Sequence, residues 1–365
     1  MVNAGSSSLK VSVLASDDTV LMALDLPVDS AAAIGDALDR ALGAAPEVDA
    51  AGHRVVHGGE DFGRAVVLDA DDEQRLGRLA ELAPLHNPPA VEAIRRLRVA
   101  RPGLPQVACF DTAFHATMPA EATTYAVPEA WRRQGVRRFG FHGLSHAWAS
   151  RRAAELLGRP PGSLRLVTAH LGAGASLAAV AGGVSVDTTM GFTPLEGLVM
   201  ATRSGDVDPG ALIWVLRHEG LTADDLEDAL ARRSGLLGLS GESGDLRRVL
   251  EAADGGDERA RLAVGVYLHR LRGAVAAMAA ATGGTDALVF TGGAGEHSAR
   301  LRRDACAGLG FLGIELDDAR NEGATGDAPD VVVSPEHAAA AVVVVHARED
   351  LEIAGQVRAL LGEPG

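Results

Sequence analysis

The sequence predicts a mixed α/β fold made of two halves built alike. The stretches "NAGSSSLKVSVLA" (3–15) and "LVTAHLGAGASLAAV" (166–180) each read as a β-hairpin, with a Gly/Ser-rich turn between apolar arms. Helical periodicity fills the intervals, at 71–82, 90–99, 144–157, 209–218, 257–282 and 350–361. A chain of 365 residues is long enough for two domains that each bury a core.

The first hairpin raises a chemical question. Lys10 is the one lysine of the chain beside thirty-three arginines, and it follows a Gly-Ser-Ser-Ser turn. Backbone N–H groups freed by such a turn can converge on an anion, with the Ser6 and Ser8 hydroxyls as further donors and Lys10 as a compact point charge. The turn is then a phosphate cradle; the plain alternative is a surface hairpin with a solvated lysine.

Next, "GHRVVHGGEDF" (52–62) reads as a strand with Arg54 and Val56 on one side. A cation beside an apolar wall suits a short acyl chain with a charged head, although an isolated strand arginine is commonly solvated or ion-paired. "APLHNPP" (83–89) sets His86 in a proline-bounded loop. "ACFDTAFH" (108–115) ends an apolar strand on Asp111, which can orient a nucleophile, bind a metal or cap the next helix. In "RRFGFHGLSHAWAS" (137–150), His142 and His146 stand four apart, on one helical face; Gly143 after His142 excludes the HExxH zinc motif.

"TTMGFTPLEGLVMATRSGDVDPG" (188–210) is rich in turn residues and too long for an inert loop, and it carries Arg203. Two arginines such as Arg54 and Arg203, one from each half of the chain, could close on a transferring phosphoryl group from opposite sides, which electrostatic stabilisation of that transition state requires. "ALVFTGGAGEHSARLR" (287–302) runs from a strand through a tight glycine turn into a helix, where a ligand can approach backbone closely. It does not fit GxGxxG, and no Walker A sequence occurs, so neither a Rossmann nor a P-loop holder is expected.

A formal charge of −15 without a basic run argues against nucleic acid as a partner. The longest apolar run, 338–345, has eight residues against the roughly 20 of a spanning helix, so it reads as a buried strand and no membrane is expected. The apolar stretch 11–15 is interrupted by Asp17-Asp18, which argues against a signal peptide. Cys109 and Cys306 have neither disulfide-framework nor zinc spacing, which fits a reducing cytoplasm.

Taken together, "NAGSSSLK", "HRVVHGGE", "APLHNPP", "FDTAFH", "FGFHGLSH" and "MGFTPLEGLVMATRSGDVDP" resemble the acetate kinase family, within the superfamily of sugar kinases, large heat-shock chaperones and actin. The resemblance implies two duplicated ribonuclease H-like, actin-type α/β domains, each with a mixed five-stranded sheet, around a cleft. The first would cover 1–113 with 349–365 returning to it, and the second, nucleotide-binding, 114–348. It implies reversible phosphoryl transfer from ATP to acetate, giving acetyl phosphate and ADP, with magnesium or manganese, in a homodimer.

Residue by residue, the resemblance assigns Asn3, Ser6, Ser8 and Lys10 to the phosphate region, and Arg54 and Arg203 to the acyl carboxylate and the transferring phosphoryl. His142 matches the histidine that stabilises that phosphoryl, Asp111 the catalytic aspartate, and Glu349, with Asn3, the metal region. His86 and His170 match further active-site histidines, and Gly172 and Gly174 the second phosphate hairpin. Asp245, Arg247, Gly292, Gly293 and Gly295 match adenosine contacts. Val56, Leu85, Phe141 and Pro194 match the acyl pocket, where a valine at 56 favours acetate over propionate. Ala173 and His297 replace asparagines of the family pattern, which leaves other donors such as pyrophosphate as alternatives. Broader short-chain acids are a further alternative, and a catalytically silent actin-like protein is the reading from another class.

Overall fold

A computed structural model describes the chain apart from residues 6–7, 29–30, 80–82, 84–86, 327 and 363–365, and apart from the side chains of 31–32. Two compact units form: Met1–Ala116 with Phe141–Trp148 and Arg348–Gly365, and Thr117–Gly140 with Ala149–Ala347.

The first unit is built on β1 (Val2–Ala4), β2 (Ser8–Leu14), β3 (Val20–Pro27), β4 (Ala51–Val55), β5 (Val66–Val67) and β6 (Gln106–Phe110), in the order β3-β2-β1-β4-β6-β5. β1–β2 and β2–β3 are antiparallel, β1–β4 and β4–β6 parallel, and β5 closes the edge antiparallel to β6. The second unit is built on β7 (Arg165–Leu171), β8 (Ala175–Ala181), β9 (Val184–Thr188), β10 (Ala287–Thr291), β11 (Val331–Val332) and β12 (Ala341–Val344). Its order, β11-β12-β10-β7-β8-β9, repeats the first sheet strand for strand and sense for sense.

The halves are therefore built alike, as the two hairpins predict. Each sheet has six strands where five are expected. The sixth is a Val-Val pair at one edge, too short to leave a period-two signature.

In the first unit, alternation along β6 sends Val107 and Cys109 to one face and Ala108 and Phe110 to the other. Val107 and Cys109 meet Leu144, Ile353 and Val357, which brings helix Glu349–Leu361 onto the sheet. A Cβ on Gly52 would lie 2.3 Å from Ile353 Cγ2 and 2.9 Å from Val357 Cγ2, so that helix sits directly on β4 backbone. On the opposite face Leu9 and Val11 of β2 pack with Leu38 of helix Ala31–Ala44 and with Ala93 and Leu97 of helix Asn87–Ala100. Both cysteines are buried free thiols.

In the second unit, helix Glu258–Ala281 buries Ala260, Ala263, Tyr267, Leu271, Val275 and Met278, an i+3/i+4 stripe. Arg302 is fully buried there. Its guanidinium donates to the Gly295, Glu296, Asn321 and Ala324 carbonyls and to Asn321 Oδ1, at 2.7–2.9 Å. Burial pushes its pKa down to about 10, which leaves it cationic at neutral pH. It thereby closes the carbonyl end of the short helix Gly292–His297.

His53, on β4, is 1% exposed. Gln106, with its amide nitrogen turned toward the ring, donates to His53 Nε2 at 2.8 Å while its oxygen accepts from the Arg98 N–H at 3.2 Å. Burial, with the N-terminal ammonium as a lesser cause, pushes the His53 pKa down to about 3. The unfolded chain thus takes up a proton below its ordinary value of 6.5 that the folded one refuses, and stability falls as pH drops through that window. We expect about 2 kcal/mol of lost stability from this group between pH 6.5 and 5. Guanidinium denaturation of the wild type and His53→Gln at both pH values checks it; equal losses in the two proteins would contradict the assignment.

Candidate active site

Parallel pairing of β4 and β6 sets Arg54 opposite Cys109, two residues short of Asp111, and the Asp111 N–H donates to the Val55 carbonyl at 3.0 Å. The Arg54 guanidinium therefore meets the Asp111 carboxylate where both strands end, the position at which parallel sheets present ligand-binding groups. Arg54 Nε lies 3.1 and 3.2 Å from the two Asp111 oxygens and Nη2 lies 2.7 Å from Oδ2, while Nη1 lies 3.3 Å from Glu349 Oε2. Asp111 is 1% exposed and the Arg54 side chain 19%, so the pair is shielded from bulk water. Burial alone would lower the arginine pKa, but the two carboxylates raise it, and the guanidinium stays charged.

Two carboxylates on one guanidinium leave a net charge of about −1 at this strand end. Among the described residues no group of three or more His, Cys, Asp or Glu side chains forms a metal cage. Two carboxylates nonetheless fit magnesium, which keeps several waters and binds through one or two carboxylates and substrate phosphates. The donor set thus suits an ion that arrives with its substrate.

Beside the ion pair, His142 adopts φ +57°, a left-handed conformation that only Asp18 shares among the described non-glycine residues. Gly143 makes that turn possible: a Cβ there would lie 2.2 Å from the Asp111 carbonyl oxygen, which accepts the Gly143 N–H at 2.8 Å. The strained histidine is thus tied to the backbone of the catalytic candidate Asp111. Phe141 is buried and packs edge-on against His57 at 5.3 Å, and its carbonyl contacts His115 Nε2 at 3.0 Å. His146 lies 5.6 Å from His115, so it belongs to this buried histidine layer. Val56, half-buried, follows the last residue of β4.

In the first hairpin, Asn3 pairs with Lys10 across β1 and β2, and the Gly5 N–H donates to the Ser8 carbonyl at 2.8 Å. Lys10 is exposed, its ammonium 3.7 Å from Asp25. Ser6, Leu85 and His86 lie outside the described residues.

In the second unit the β7–β8 turn closes with the Gly172 N–H donating to the Gly174 carbonyl at 2.9 Å, and His170, one residue before the end of β7, stands opposite Thr291 of β10. Gly292 has φ +76°, and a Cβ there would come within 2.9–3.0 Å of Leu171 backbone atoms. The hairpin turn and the glycine-rich turn holding Gly293 and Gly295 are therefore in backbone contact. Asp245 caps helix Leu246–Asp254, and Arg247 doubles back on it, with Nη2 2.8 Å from Oδ2.

Arg203 stands in the loop 189–206. Its Nη1 donates to the Pro194 carbonyl at 2.6 Å, and among the described residues no carboxylate pairs with it. Burial lowers its pKa, with no opposing anion. A half-buried, uncompensated guanidinium is a site for an anionic ligand.

Sequence reasoning passed over Tyr125, Arg138 and Glu196, which bond to one another and to this loop, and over Arg302 with Asn321. Arg138 and Glu196 stand inside quoted motifs, but partners 58 residues apart leave no spacing signal.

Residues 29–355 match the model of the Acetokinase family. An acetate kinase of a Synechococcus species is 51% identical over 317 residues, which cover 87% of this chain and 78% of that protein. One from Clavibacter michiganensis subsp. michiganensis is 54% identical over 308 residues, 84% of this chain and 77% of that protein. Among solved structures, Porphyromonas gingivalis acetate kinase has a TM-score of 0.91 at 38% identity, covering 99% of this chain and 98% of the other. A propionate kinase from Francisella tularensis has a TM-score of 0.87 at 34% identity, covering 97% of each. Together with the duplicated sheets and the strand-end ion pair, this likeness establishes that the chain belongs to the acetokinase family.

Proposed function

We propose that this protein is an acetate kinase that transfers a phosphoryl group reversibly between ATP and acetate, giving acetyl phosphate and ADP. The observation that carries the reading is its likeness to acetate kinases across most of the chain, joined by the Arg54–Asp111–Glu349 arrangement at the strand ends. An acetate oxygen is already ionised at neutral pH, so the reaction needs orientation and charge neutralisation more than a base.

In this reading Asp111 holds the Arg54 guanidinium in one orientation, leaving it to bind an anionic oxygen of the acid or of the phosphoryl group. Arg203, with no carboxylate partner among the described residues, supplies cationic charge to the phosphoryl oxygens, and His142 donates to them. Asp111 and Glu349, with Asn3, would hold magnesium; when bound, that ion neutralises phosphate charge. Val56 and Phe141 wall the methyl group. In the second unit the β7–β8 turn and the backbone at Gly292–Gly295 receive the nucleotide, with Asp245 and Arg247 toward its adenosine.

Helix Pro209–Glu219 buries no residue, and Ile213 and Trp214 are 49% and 55% exposed. We read this apolar face as the contact of a homodimer. No helix among the described residues is long and apolar enough to cross a membrane; with two free thiols, a cytoplasmic setting suits the protein best.

The likeness to a propionate kinase gives a second reading, which Val56 separates. A hydroxamate assay with ATP and acetate, propionate or butyrate should detect acetyl phosphate preferentially, with activity removed by chelator and restored by magnesium. Arg54→Ala and Arg203→Ala should each lower kcat/KM by about 100- to 1000-fold. Val56→Ala should raise the propionate-to-acetate ratio of kcat/KM roughly 10-fold or more. No acyl phosphate from any acid would overturn the reading. Separately, sedimentation should find a dimer that Trp214→Glu converts to monomer; a wild-type monomer would remove the dimer assignment.

A further inference from the structure

The loop 189–206 carries both Pro194 and Arg203, yet it has no helix or strand of its own to hold it. What fixes it is a polar clamp. Arg138 Nη1 donates to three successive carbonyls, Thr188, Thr189 and Met190, at 3.2, 3.1 and 2.9 Å. Its Nη2 lies 2.5 Å from Glu196 Oε1, and Glu196 Oε2 accepts from the Tyr125 hydroxyl. That hydroxyl in turn accepts the Phe192 N–H at 3.0 Å. One carboxylate therefore ties the start of the loop to its middle.

Gly191 shows how closely the clamp is built: a Cβ there would lie 1.7 Å from Glu196 Oε2 and 2.1 Å from the Tyr125 oxygen. Beyond Glu196 the loop is tied to itself. The Gly197 N–H donates to Asp206 Oδ1 at 2.8 Å, the Asp206 N–H to the Gly197 carbonyl at 3.0 Å, and the Met200 N–H to the Arg203 carbonyl at 3.1 Å. Arg203 then returns to the Pro194 carbonyl, two residues before Glu196.

We propose that Glu196, clamped by Arg138 and Tyr125, is a positioning residue that sets the direction of the Arg203 guanidinium through the Pro194 carbonyl. This rests on the kinase reading for what Arg203 does, but not for how Arg203 is held. Glu196 itself need touch no substrate. Its carboxylate fixes the backbone that aims another residue's charge, and a small misplacement of such a charge is worth about 100-fold in rate.

A double-mutant cycle tests this. Glu196→Ala should lower kcat/KM for acetate about 100-fold while leaving the KM for ATP within about 2-fold. In an Arg203→Ala background the same change should cost less than about 3-fold, because the group it aims is gone. Glu196→Gln and Tyr125→Phe, which keep the packing, should give smaller losses with the same coupling, and they carry the cycle if Glu196→Ala does not fold. Losses that multiply across the cycle, or equal effects on both KM values together with a lowered melting temperature, would overturn the proposal. Hydrogen exchange of the 189–206 amides, faster in Glu196→Gln than in wild type, reads the clamp without any turnover. A wild type without kinase activity would thus defeat the functional reading and leave this one to be decided by exchange, where unchanged rates would defeat it.

Discussion

A guanidinium enclosed at the end of a parallel strand pair is the constraint on which the first unit turns. An arginine keeps its proton in such a place, so its charge must be satisfied there, and at this strand end two carboxylates, Asp111 and Glu349, meet Arg54. Asp111 is available because β6 runs parallel to β4 in register, and Glu349 because the C-terminal helix returns to the sheet. Gly52 lets that helix settle onto β4 backbone, and Ile353 and Val357 seal it. Strand register, helix docking and the charge at the site are one arrangement, since moving any of them would leave a shielded charge unmatched.

The duplication makes the same local architecture recur at equivalent places. Each sheet opens with a hairpin next to its central parallel strands, β1–β2 in one unit and β7–β8 in the other. Each hairpin holds a backbone bond beside its turn, from the Gly5 N–H to the Ser8 carbonyl in one and from the Gly172 N–H to the Gly174 carbonyl in the other. The second copy adds the glycine turn after β10, whose carbonyl end Arg302 closes from within the core. A buried arginine with five acceptors and no carboxylate does there what a helix cap does at a surface: it satisfies the last carbonyls of a short helix.

The two hairpins and the long periodic helices were legible in the sequence because both depend on local pattern. The helices found at Pro209–Glu219, Glu258–Ala281 and Glu349–Leu361 lie within a residue of the expected ranges at either end. Helices Ala31–Ala44 and Leu246–Asp254 were not anticipated, although the latter has the Asp245 cap that announces a helix. Arg54, Asp111 and Glu349 could be singled out one at a time, but their convergence is a product of register and docking, which no local window contains. Tyr125, Arg138 and Glu196 carry no motif chemistry at all; their meaning is set by a clamp across 58 to 71 residues.

The lone lysine gains its sense against this background of arginines. Arg138 and Arg302 each bridge several carbonyls, work for which a planar fork of donors is suited and a single ammonium is not. Arg54 is locked on two carboxylates. Lys10, by contrast, is exposed, and its ammonium lies 3.7 Å from Asp25, an ion pair of a kind worth about 0–1 kcal/mol. A cation so weakly held can leave its partner at small cost, which an arginine tied into a clamp cannot do. Among the described residues the bridging of several carbonyls or carboxylates thus falls to arginines, while the one lysine stands in a single exposed ion pair.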